Sequence, residues 1–124
     1  KQLQSFDWQD GRMDGKIKSL YQSVYQISYG YLIEQKRDNI EKVKKIIPQI
    51  QEFVLWFLDG NRFGIEEELY QGMQNYLLQV LKDITSAIAQ EDRVLLHDAV
   101  AYGLMEYLKM LIDSRQEGME DDNI

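Results

Sequence analysis

Four stretches of this chain carry apolar residues at alternating steps of three and four, and that spacing leaves little besides helices that share one core. In the first stretch Ile17, Leu20, Val24, Ile27 and Tyr31 make one stripe, which predicts a helix from about Asp14 to Gln35. The second repeats the pattern through Ile40, Val43, Ile47, Ile50, Val54 and Phe57. Asp38 stands where it can cap this helix, with Glu41 three residues on to complete a capping box. Gly60, just past the end, suits the left-handed conformation that closes helices. Pro48 lies inside the stretch, where it removes one backbone hydrogen bond and crowds the Lys44 carbonyl. The stripe stays in phase on both sides of it, so a kink is expected there and not a break. The third stripe runs through Leu69, Met73, Tyr76, Val80, Ile84 and Ile88, widened by Leu77 and Leu81. Glu66, Glu67 and Glu68 open it, where the helix dipole favours carboxylates. The fourth, capped by Asp92 and running to about Ser114, uses Val94, His97, Ala101, Leu104, Leu108 and Leu111, with Val100 and Tyr107 beside them.

The links between these stretches, near 36–38, 59–64 and 90–91, are short, and short links make sequential helices antiparallel neighbours. The expected fold is therefore all-α: an up-and-down antiparallel four-helix bundle with its second helix kinked at Pro48. It spans residues 1–124 as one domain, with residues 1–13 and 115–124 irregular or frayed. At 124 residues, 44% hydrophobic, the chain is large and apolar enough to bury its own core.

Charge and cysteine usage narrow the partners. The absence of cysteine removes disulfides and thiolate nucleophiles and fits a cytoplasmic protein. A net charge of −7 opposes nucleic acid and anionic membranes. A local exception, Lys36, Arg37, Lys42, Lys44 and Lys45, reads as the solvated face of a helix. The longest apolar run, Phe53 to Leu58, is too short for a membrane span. The chain starts at Lys1 without an apolar leader, so the expectation is a trimmed chain or a domain cut from a longer protein.

Catalytic and metal constellations are sparse. A carboxylate-bridged di-iron bundle needs Glu-x-x-His on two helices, whereas His97 is the chain's 1 histidine and Val94 stands three residues before it. One histidine without cysteine is a poor basis for zinc. Asp98 points about 100° away from His97 around the helix, so the two form no ready catalytic pair. The stretch 59–64, D-G-N-R-F-G, lacks the lysine of a phosphate-binding loop. The reading is thus no catalytic residue, no cofactor and no metal. His97 is either a packed histidine bonded to a neighbouring helix or a functional group in a pocket between helices.

Tyrosine, at 8 residues, is the unusual part of the composition. Tyr21, Tyr25 and Tyr29 lie four apart and form a ridge beside the first stripe. They either roof the core or present a binding surface, since tyrosine suits sites where apolar contact and hydrogen bonding coexist. Phe53 and Trp56 lie off the second stripe. Together Tyr21, Tyr25, Tyr29, Phe53 and Trp56 make the candidate partner surface, and a homodimer through the first two helices is expected from it. Gly30, Gly72 and Gly103 sit inside helices at a cost of about 1 kcal/mol each against alanine. Ala99 and Gly103 would let another helix approach closely.

The segment E-D-R-V-L-L-H-D-A-V-A-Y-G-L-M-E-Y-L-K, Glu91 to Lys109, resembles the last helix of an uncharacterised bacterial family of small helical domains. The resemblance rests on Asp92 to Asp98 and Tyr102, with Glu68 to Leu77 fitting loosely, and covers roughly the C-terminal half. It implies a bacterial helical domain and no particular activity. The functional expectation is a non-enzymatic protein–protein interaction domain of the bacterial cytoplasm, an adaptor or export-type chaperone. The alternative is a small-molecule-binding or enzymatic bundle with an inter-helix pocket near His97.

Overall fold

The computed structural model describes residues 12–61 and 64–122, and those residues form four helices around one core. They are α1 (Arg12–Leu32), α2 (Asn39–Leu58), α3 (Glu67–Gln90) and α4 (93–122). Helix α4 is α-helical over Arg93–Asp98, π-helical over Ala99–Leu104 and α-helical again over Met105–Asp122. Contacts between helices set their directions. Lys16 near the start of α1 pairs with Glu52 near the end of α2. Phe57 at the end of α2 meets Tyr70 at the start of α3, with ring centroids 5.3 Å apart. Tyr31 at the end of α1 stacks on His97 at the start of α4. Sequential helices are thus antiparallel, α1 and α3 each pack on α2 and α4, and the bundle is up-and-down.

The stripes of α1 and α2 enter the core largely as their spacing requires. Met13, Ile17, Leu20, Val24 and Ile27 are buried on α1, and Ile40, Val43, Ile50, Val54 and Phe57 on α2. Helix α2 continues unbroken through Pro48, whose ring faces solvent.

Several sequence expectations are corrected. Asp38 stands at the cap of α2 but makes no side-chain cap bond. Its carboxylate turns instead to Lys42, 3.5 Å away, so the capping box does not form. Gly60 does not take the left-handed conformation, since α2 ends through Asp59, whose N–H reaches back to the Trp56 carbonyl. Helix α1 stops at Leu32 rather than Gln35, because Gln35 turns left-handed at φ 59°. On α3 the buried face is Tyr70, Leu77, Val80, Ile84 and Ala87, while Leu69 and Tyr76 are exposed. The expected stripe holds at Leu77, Val80 and Ile84, with Met73, Leu81 and Ile88 packed against the core, and fails at Leu69 and Tyr76. Tyr70 is held inward by its hydroxyl, which donates to the Phe57 carbonyl. Val94 is likewise exposed, and Leu96 takes its place in the core. Helix α4 also runs past Ser114 to Asp122, so the tail expected to be irregular from 115 is helical as far as it is described, and 123–124 lie outside the described residues. The expected irregularity of residues 1–13 falls on 1–11 outside the described residues; Arg12 and Met13 are helical.

Two junctions secure the ends that lie beside the site. Glu91 closes α3 in the left-handed region at φ 55°. The Glu91 N–H bonds the Ile88 carbonyl and the Asp92 N–H bonds the Ala87 carbonyl, which is the Schellman pattern. One residue on, the Asp92 carboxylate accepts the Leu95 N–H at 3.0 Å and caps α4, as its position in the sequence suggests. Buried Asn39 then donates to the Arg93 carbonyl at 3.1 Å, and Arg93 donates to the Arg37 carbonyl at 2.7 Å. The α1–α2 link and the start of α4 are thereby fixed to each other.

Candidate functional site

The π-helical turn shapes the surface. Five of its six residues, Ala99, Val100, Ala101, Gly103 and Leu104, are buried, because the segment is wedged between α1 and α3. Small residues make this possible: a Cβ on Gly103 would stand 3.1 Å from a Val80 methyl, so α3 and α4 touch where alanine would already crowd. Ala99 and Gly103 therefore serve close packing inside the monomer. Tyr102, the remaining residue of the turn, is thrown outward over α1. Single π turns inside α-helices recur at functional sites.

Between Tyr102 and the second half of α1 runs an apolar groove of about 170 Å³. Its walls include Tyr25, Tyr29 and Leu32 on α1, Ile33 just past its end, and Tyr102 and Met105 on α4. Tyr25, Tyr29, Leu32, Ile33 and Tyr102 are each between 47% and 63% exposed. Tyr25 and Tyr29 stack nearly parallel, with centroids 6.3 Å apart and planes at 11°, so they form one rigid wall. Tyr21 continues the ridge at 6.3 Å from Tyr25 but is half-buried against the core.

His97 and Ser28 lie at the base of the groove. Each is only 7% exposed. The His97 ring is stacked on Tyr31 at 5.0 Å and meets Tyr102 edge-on at 5.8 Å. Both of its ring nitrogens, and the Ser28 hydroxyl, are buried without a hydrogen-bond partner among the described residues. A bond from His97 to a neighbouring helix, one sequence expectation, is thus not formed among them. Unpaired buried polar groups are uncommon in native proteins.

The candidate surface read from the sequence divides in two. Tyr25 and Tyr29 stand on the groove as a surface should. Phe53 does not: it is 2% exposed and packs edge-on against Tyr107, with centroids 6.2 Å apart. Trp56 is half-buried against the core beside it. Helix α2 buries a broader face than its main stripe, because Tyr107 of α4 and Tyr70 of α3 approach it from two sides. The exposed aromatic face therefore joins α1 to α4, not α1 to α2. Sequence reasoning missed Leu32, Ile33 and Tyr102 as members of it. The signal available was the crowding of small residues around Tyr102, namely Ala99, Ala101 and Gly103.

A second hollow lies between the start of α1 and α2, lined by Met13, Ile17, Ile46 and Phe53. Its charged members Lys16 and Glu52 pair with each other, so it offers no unmatched polar group of that pair to a ligand. Among the described residues no three metal-ligating side chains lie together, and no helix is long and apolar enough to cross a membrane. The chain matches none of the protein-family models, curated proteins or solved structures with which it was compared.

Proposed function

We propose that this chain is a non-enzymatic protein-interaction domain of the adaptor type, whose docking surface is the groove between α1 and α4. The observation that carries the reading is the contiguity of Tyr25, Tyr29, Leu32, Ile33 and Tyr102 along one groove. An aromatic side chain presents about 150–250 Å² when fully exposed, so these half-exposed side chains offer on the order of 500 Å². Apolar patches of that size on a monomer commonly serve binding. The groove walls are rigid helices with internally bonded backbones, so recognition there relies on side chains.

A photo-reactive phenylalanine placed at Tyr29 tests this in cells against the same probe at Leu69, which is exposed on α3 outside the groove. The expected result is a discrete protein adduct from position 29 that is absent from position 69 and lost when Tyr102→Asp is added. Equal labelling from both positions, or none from position 29, contradicts the proposal.

The unpartnered His97 and Ser28 favour a second reading, a small polar-headed ligand in the same groove. A ligand of that kind raises the melting temperature by binding the native state alone. Stoichiometric stabilisation by a metabolite, abolished by Tyr102→Ala, would select this reading over protein docking.

A further inference from the structure

Two exposed carboxylates flank Tyr102 on the outer rim of the groove. Asp98 and Glu106 lie one turn before and one turn after Tyr102, so the three share a row along the outer wall of α4. Both carboxylates are exposed, and neither has an ion pair among the described residues. The nearby cation Lys109 is held by Asp113 at 2.9 Å. At the end of the groove Lys36 is matched by Glu34 at 3.3 Å, and Lys42 by Asp38 at 3.5 Å. On the opposite side the lining residues Tyr25, Ser28, Tyr29, Leu32 and Ile33 are all uncharged. The groove is thus largely apolar, with the polar His97 and Ser28 at its base, neutral along its α1 lining and acidic along the outer rim of α4.

We infer that the occupant of this groove is an amphipathic helical segment of a partner protein, with basic side chains flanking its apolar anchors. The inference rests on the docking reading above and supplies the partner's chemistry. A helix is favoured over an extended strand because both walls are helices whose backbone groups are already bonded, which leaves no edge for strand addition. Asp98 and Glu106 lie about two turns apart along α4, across its π-helical segment. Lysine or arginine residues seven or eight apart on the partner meet both, while apolar residues between them enter beside Tyr102. A second copy of this chain fits poorly. It carries the same net charge of −7, which opposes its approach to the acidic rim.

Fluorescence anisotropy on the full chain decides this with two labelled amphipathic peptides that share leucine anchors at i, i+4 and i+7. One carries lysines beside the anchors and its twin carries glutamates. The lysine peptide is expected to bind at least 10-fold more tightly than the twin at low salt. The gap narrows at 0.5 M salt and reverses in the double variant Asp98→Lys, Glu106→Lys. Both substituted positions are exposed, so the variant keeps its core, and circular dichroism checks this. If both peptides bind equally and Tyr102→Ala weakens both, docking stands and the charge inference falls. Preference for lysine that survives the double variant also overturns it. If neither peptide binds and sedimentation equilibrium shows a dimer that Tyr25→Glu dissociates, the occupant is a second copy. If neither binds and the chain is monomeric, both the inference and the docking reading fail.

Discussion

Glycine at position 103 and glycine at position 72 both lie inside helices, in opposite surroundings. A methyl group at Gly103 would meet both Val80 methyls at 3.1 and 3.2 Å, whereas nothing lies within 4 Å of one at Gly72. Alanine gains about 1 kcal/mol over glycine in a helix, and overpacking a tight contact costs about 1–3 kcal/mol. Gly72→Ala is therefore expected to raise stability by up to about 1 kcal/mol. Gly103→Ala is expected to lower it by about 1 kcal/mol, with recovery when Val80→Ala makes room; urea unfolding of the three variants checks both. Tyr107 gives a pH-dependent counterpart. Its hydroxyl donates to the Met73 carbonyl at 3.0 Å. Burial, with Tyr70 beside it, raises its pKa above the ordinary value of 10.0. The neutral phenol is the form the fold holds. Its contribution is complete below about pH 10 and is lost as pH rises, since the unfolded chain ionises there first. Tyr107→Phe is expected to cost about 1 kcal/mol at pH 7, and the gap to the parent should narrow as pH rises above about 10. A gap that stays constant would show that the hydroxyl titrates freely in the fold.

At the scale of the element, periodicity was informative in proportion to how evenly a helix is covered. Helices α1 and α2 have one dominant stripe each, and most of it is buried. On α3 the apolar residues Leu69, Met73 and Tyr76 compete with Tyr70 and Leu77 for the inner face, and spacing alone does not rank them. The hydrogen bond from Tyr70 to Phe57 does, and it exists only once α2 is in place. The π turn in α4 was equally hidden, because its cause is the approach of α3 at Val80 and not any local propensity. Pro48 was the readable exception. Its ring is exposed and the helix passes through it, so Pro48→Ala restores a donor to the ladder and loses some unfolded-state restriction. The expected net is a gain of about 1 kcal/mol. A loss of more than about 1 kcal/mol in thermal or urea unfolding would show that the packing of α2 requires the proline.

Across the whole molecule, the bundle was legible because four apolar stripes and short links leave few other arrangements. The exposed aromatic face was legible only in part. Tyr25 and Tyr29 announced it through their spacing, but Phe53 and Trp56 pointed to the wrong neighbour, since off-stripe aromatics on α2 are covered by Tyr70 and Tyr107. The face came into view when the fold placed the π turn, with Tyr102 projecting from it, beside Leu32 and Ile33. The consequence is an exposed apolar groove along the α1–α4 edge of the bundle, with His97 and Ser28 at its base. Methionine-methyl NMR reads this edge directly, because Met105 lines the groove whereas Met73 packs against the core on α3 and Met110 is exposed elsewhere on α4. On titration with the lysine-bearing amphipathic peptide, the Met105 methyl is expected to shift saturably while Met73 and Met110 stay in place. A Met105 signal that does not move, or one that moves only together with Met73 and Met110, would contradict the assignment of the groove as the docking site.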